Sequence, residues 1–188
     1  MKKYINYFLI LVIANTVFLT ACKKFEPGEN NEEEVITTLN LYFTPVTGGP
    51  TLIYGFDDAD GPGGNVPVQS EIVLSANTQY DVKIELLNKT VSPADTITNE
   101  VSEEAEAHRF YYTSSAGNNI TVTNFDNDAN GSPLGINSLW KTDDVAMGTM
   151  TITLRHYPGT PPDKQTADPV NSPKSTTDIN IIFSTKIL

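Results

Sequence analysis

The chain carries two histidines in 188 residues, and their phases are related. His108 shares strand parity with Phe110 and Tyr112, and His156 shares it with Met150, Ile152 and Leu154. Side chains alternate between the two faces of a strand, so both rings are expected on the core side near a strand end. Where two such ends meet at a rim, the imidazoles could hold a transition metal together with the Glu104 or Glu106 carboxylate, because nitrogen and carboxylate donors suit such ions. Two unrelated histidines, each satisfied separately at its own strand end, are the competing expectation.

A second candidate is the run Asp126-Asn127-Asp128-Ala129-Asn130-Gly131, which matches the opening of a calcium loop. Alternate residues of a tight loop turn oxygens inward, and the glycine permits the sharp bend. The twelfth position is Asn137, where such loops close with a bidentate glutamate, and a strand precedes the loop where a helix would be expected. An Asx-rich turn between strands accounts for the same residues. Asp57, Asp58 and Asp60 with Gly61 form another acidic loop, which gains weight as a Ca²⁺ site if both loops lie at one end of the fold. No other cofactor is indicated.

Signals for covalent chemistry are lacking. There is no Gly-x-Ser-x-Gly elbow, no His-Glu-x-x-His, and no phosphate-cradling or dinucleotide glycine pattern. Carboxylates are plentiful, but a hydrolytic pair would come from distant segments that sequence cannot place. The reading is a non-enzymatic protein with no catalytic residue to name; a carboxylate-based hydrolase is kept only as a third alternative.

The elements that must position these groups are mostly strands. Residues 35–43, 51–56, 71–74, 80–86, 109–113, 120–125, 149–157 and 178–185 carry period-two or short apolar patterns between Gly, Pro and Asn turns. Residues 135–148 are ambiguous and include the only tryptophan, Trp140, assigned to the core. Ser92, Pro93 and Asp95 read as a helix start, and Ile97, Val101 and Ala105 as one apolar stripe, which predicts a short helix over about 93–106. Leu74, a four-residue turn and Tyr80 resemble the tyrosine corner of immunoglobulin-like and fibronectin-type domains, where a strand-start tyrosine bonds back to the preceding corner. The expected class is all-β: an antiparallel immunoglobulin/fibronectin-like sandwich of about eight strands with one short helix, as a single domain over 35–188.

The N-terminus reads as an address. Lys2 and Lys3 precede an uncharged apolar run from Tyr4 to Leu19, which is the pattern of a secretory signal. Leu19-Thr20-Ala21-Cys22 resembles the bacterial lipobox. That resemblance implies cleavage after residue 21 and lipidation of Cys22, the only cysteine of the chain. Two or more acyl chains give stable attachment, so the expectation is an exported protein anchored by lipid in the outer membrane, on its periplasmic or its surface face. Residues 22–34 are acidic and nearly free of apolar side chains, and read as a disordered tether. Loss of Lys2 and Lys3 with the signal leaves ten basic against 23 acidic residues, a net charge of −13. Such a surface repels phosphate backbones and argues against nucleic acid as a partner.

Residues 35–185 are similar to small lipoproteins of Bacteroidota that often carry the label "type 1 periplasmic binding fold superfamily protein". The resemblance rests on the Gly61-Pro-Gly-Gly loop, on Leu74 to Tyr80, on Asn88 with Ser92-Pro93-Ala94, on the acidic run before His108-Arg-Phe, on residues 126–135, and on Gly148 to Pro158. The label implies a two-lobed α/β ligand binder, whereas this length and strand content predict the β-sandwich. The function expected is binding of a ligand or partner at the cell envelope, for example as accessory to an outer-membrane uptake receptor. A structural or adhesive module with Ca²⁺-binding loops is the alternative.

Overall fold

Ten strands and one helix follow one another along the chain, in a computed structural model that describes residues 34–188 apart from Pro62. The signal, the lipidation site Cys22 and residues 22–33 of the expected tether lie outside the described residues. The strands are β1 Thr38–Pro45, β2 Leu52–Asp57, β3 Val68–Gln69, β4 Ile72–Leu74 and β5 Gln79–Leu87. After helix α1 at Ile97–Glu103 come β6 His108–Ser114, β7 Ile120–Thr123, β8 Asn137–Thr142, β9 Ala146–His156 and β10 Thr176–Ile187. They form two sheets, one of six strands in the order β3-β2-β1-β5-β8-β7 and one of four in the order β4-β10-β9-β6. The protein is an all-β sandwich. Every pairing is antiparallel except β4 with β10, which run parallel.

The core is the sum of the period-two faces. Leu39, Leu41 and Phe43 of β1 and Val82, Ile84 and Leu86 of β5 oppose Met150, Ile152 and Leu154 of β9 and Ile179, Ile181 and Phe183 of β10; all are buried. Trp140 fills the centre of this layer, edge-on to Phe43 at 5.0 Å and to Tyr112 at 5.6 Å. Its indole N–H donates to Ser138 Oγ at 3.0 Å, so the one polar atom of the ring is satisfied where it is buried. The Tyr80 hydroxyl accepts from the Ser75 backbone amide at 3.0 Å, so the tyrosine does tie its strand back to the corner before it.

Two strands and the helix differ from expectation. The ambiguous stretch holds β8, and the first acidic loop ends in the two-residue β3, which gives ten strands where about eight were expected. A strand as short as β3 has too little pattern to read, and it exists by covering the edge of β2. That edge is tied to the opposite sheet where Gln69 donates to the Ile182 carbonyl at 2.8 Å and Tyr54 to the Val73 carbonyl. The helix occupies only Ile97–Glu103, well short of 93–106. Asn88 and Asp95 exchange backbone hydrogen bonds of 3.0 and 2.9 Å, which holds residue 95 against the end of β5 and delays the first turn. Thr98 then donates to the Leu86 carbonyl and accepts from its amide at 2.6 Å, so helix and strand are joined through one hydroxyl.

Residues 57–67, 88–107, 124–136 and 157–175 all leave the sandwich at one end. Phe110 N donates to Leu134 O at 2.7 Å, Tyr157 N to Ala107 O at 2.7 Å, and Lys89 Nζ pairs with Asp57 at 2.9 Å, which binds these loops to one another. Among the described residues no helix is long and apolar enough to cross a membrane.

Candidate functional site

Both histidines lie at this loop end, and they face each other. His108 opens β6, His156 closes β9, and the two are direct cross-strand partners. Their rings stack 4.6 Å apart with 23° between planes. Glu104 follows α1 by one residue, and it brings one carboxylate oxygen to the pair; the three donor atoms lie within 4.8 Å of one another. Glu106 is not part of this group and lines a neighbouring acidic cleft with Glu103, Asp126 and Asp128.

The His108 ring is fully buried. Its Nδ1 lies 3.2 Å from the Glu104 carbonyl oxygen, and a carbonyl can only accept. Nδ1 therefore carries the proton, and Nε2 presents its lone pair 3.8 Å from Asp178 Oδ2. Asp178 reaches that position because it is the extra residue of a bulge: Thr177 pairs with Arg155 and Ile179 with Leu154, with no partner position between. A bulge re-aims the side chain it carries, and here the carboxylate is buried beside the ring.

Charge at this end is lopsided. Burial first, then the neighbouring His156, pushes the His108 pKa down to about 4, so the ring is neutral at physiological pH. His156 is lowered as well, by burial, with Glu104 opposing. Burial and the charges of Glu100, Glu104 and Asp178 push the Glu34 carboxyl up to about 7. Two acidic side chains, Glu104 and Asp178, thus lie beside the two imidazoles.

The acidic loop at 126–131 is organised differently from a cation site. Asp126 Oδ1 accepts from the Gly135 and Asn137 amides at 2.8 and 3.0 Å, and Oδ2 from Asn137 Nδ2 at 2.9 Å. Asp128 Oδ1 accepts from the Asn130 and Ser132 amides at 2.9 and 2.8 Å. Its Oδ2 meets Lys164 Nζ at 2.9 Å, with both side chains buried. Lys164 also donates to the carbonyls of Ala105, His108 and Pro133. The Lys164 ammonium takes one Asp128 oxygen, and the aspartates act as Asx-turn acceptors around Gly131, whose φ of +79° favours glycine. Asn130, for its part, presents its backbone amide to Asp128. Burial pushes the Asp128 carboxyl up, but Lys164 and the two amides outweigh it and hold it below the ordinary value.

Asp57, Asp58 and Asp60 share that end but not that place. β2 and β8 stand three strand positions apart, roughly 14 Å at the spacing of a sheet. Asp57 Oδ1 accepts from Thr38 Oγ1 at 2.7 Å and from Lys89 at 2.9 Å. Asp60 caps its own turn by accepting from the Asn65 amide at 2.9 Å and the Asn65 side chain at 2.6 Å. Asp58 Oδ1 is buried without a hydrogen-bond partner.

A groove of about 730 Å³ lies over the outer face of the six-stranded sheet. Its floor is Tyr42 of β1, Lys83 and Glu85 of β5 and Asn137 of β8; its walls are Thr96 and Asn99 beside α1, and Asn124 beyond β7. Cross-strand register sets Lys83 between Tyr42 and Asn137. Glu85 Oε2 is fixed by Tyr42 Oη at 2.7 Å and Asn40 Nδ2 at 3.0 Å. That bond, with burial next, raises the Tyr42 pKa. Trp140 is buried in the core, and Tyr111 shares a hydrogen bond with Tyr157 and lies under the Arg109 guanidinium at 4.4 Å.

Comparisons with protein-family models, with curated proteins and with solved structures found no match.

Period-two parity placed both imidazoles on the core side at strand ends, but that they face each other comes from the register of β6 against β9. Asp178, Lys164 and the groove were missed. A bulge leaves no mark in the pattern, and a single lysine in a Pro-rich loop looks solvated.

Proposed function

We propose that the protein is a lipid-anchored binding protein of the outer membrane, attached through Cys22, which holds a small polar ligand in the groove over β1, β5 and β8. The groove carries this reading. Its volume is of the size that encloses small molecules, and its floor alternates donors and acceptors on rigid strands. Tyr42 and Asn40 fix the Glu85 carboxylate in place, so this part of the floor is preorganised and loses little freedom on binding. The lining also includes Leu139, so a ligand with hydroxyl, amide or carbonyl groups on a partly apolar frame fits it. Attachment at the envelope would let such a protein present ligand to an uptake receptor.

The test is a titration of isotope-labelled protein, followed by NMR, with sugars, amino acids and short peptides. Saturable shifts confined to Tyr42, Lys83, Glu85 and Asn99, weakened tenfold or more by Lys83→Ala and by Asn99→Ala, are expected. Absence of saturable shifts there across all three classes would remove the groove as the site. Mass spectrometry of the membrane-extracted protein checks the anchor, and an unmodified Cys22 would overturn it.

A further inference from the structure

We propose that Glu104, His108 and His156 bind a first-row transition-metal dication of the zinc type. Three observations converge on it. The donor atoms of Glu104, His108 and His156 already lie within 4.8 Å of one another. His108 Nε2 is buried with no hydrogen-bond partner, and so is His156 Nδ1. Buried ring nitrogens left without a partner are uncommon, and ion binding is among the reasons for them. Finally, the Glu104 carbonyl holds the proton on His108 Nδ1, which frees Nε2 as a ligand. A metal-bound histidine commonly gives its other nitrogen to just such a backbone acceptor.

The surroundings favour a cation. Asp178 Oδ2 lies 3.8 Å from His108 Nε2. Among the described residues, Lys164 turns its ammonium to Asp128 and three carbonyls. Ligand atoms about 2.1 Å from a tetrahedral zinc sit roughly 3.4 Å apart, so the widest donor pair must close by up to about 1.4 Å. Glu104 is exposed and His156 half-buried, so both have room to rotate. Nitrogen donors select zinc-type ions over Ca²⁺ and Mg²⁺, which take oxygen. The site lies beyond the C-terminal end of α1, whereas the groove is walled by its N-terminal end, so either can fail without the other.

The experiment uses the full chain, stripped with EDTA and dialysed, then titrated calorimetrically with Zn²⁺ and separately with Ca²⁺. Co²⁺ serves as a spectroscopic probe of tetrahedral nitrogen and oxygen ligation. About one equivalent of Zn²⁺ is expected to bind and raise the Tm, while Ca²⁺ does neither. Glu104→Gln and His156→Gln should each weaken Zn²⁺ at least tenfold while the metal-free Tm stays near that of the parent. His108 is fully buried, and its alanine variant can fail to fold, so the other two variants decide. No Zn²⁺ binding, unchanged affinity in both variants, or equal binding of Ca²⁺ would each overturn the proposal.

Discussion

Replacing Lys164 by methionine is the sharpest test of how the loop end is built. The ammonium pairs with Asp128 Oδ2 at 2.9 Å and donates to three carbonyls, of Ala105, His108 and Pro133, with both charged side chains buried. Methionine has similar length and no charge, so packing is largely kept while all four bonds are lost. Removing one partner of a buried pair costs about 3–5 kcal/mol, because the other charge stays buried and uncompensated. Asp128 keeps its two amide donors on Oδ1, which places the expectation near the low end, about 3 kcal/mol. For a domain of this size each kcal/mol moves Tm by about 2–4 °C, so the midpoint should fall by about 6–12 °C. Urea denaturation followed by the fluorescence of buried Trp140 measures the free energy directly. Adding Asp128→Asn should cost less than the sum of the two single changes, since residues in one network are coupled. A loss below about 1 kcal/mol for Lys164→Met, or strict additivity in the double variant, would refute the ion pair as the fastening of these loops.

The same pair predicts that millimolar Ca²⁺ leaves the Tm unchanged, since Lys164 already neutralises Asp128; a rise reversed by EDTA would contradict this. Glu34 sets a pH dependence. Its folded pKa of about 7 lies above its ordinary value of 4.5, so its proton favours the folded state fully below pH 4.5, and that contribution is lost as pH rises through 7. Glu34→Gln should therefore gain Tm relative to the parent between pH 5 and pH 8, and a constant difference across that range would count against it. Tyr80→Phe removes the acceptor of the Ser75 amide and should cost about 1 kcal/mol in urea denaturation; no loss would mean the corner is held by packing alone.

Alternation of apolar and polar residues was sufficient to show the class, because a half-buried strand leaves a period-two trace that needs no partner to be read. Thus β1, β5, β9 and β10, the burial of Trp140 and the shared phase of His108 and His156 were legible along the chain. Pairing was not. That His108 and His156 are opposite one another depends on the register of β6 against β9, and a register is a relation between segments far apart in sequence. Asp178 reaches the ring only through a one-residue bulge, which moves a polar residue inward against its parity. The calcium-like spelling of Asp126 to Gly131 does not reveal Lys164, thirty residues or more downstream, because a local motif records which oxygens a loop offers and not which cation folds onto them. The groove exists only once β1, β5 and β8 are neighbours, since its floor draws one or two residues from each. Local chemistry follows from the order of residues; which groups meet, and so what they can bind, follows from how the two sheets close.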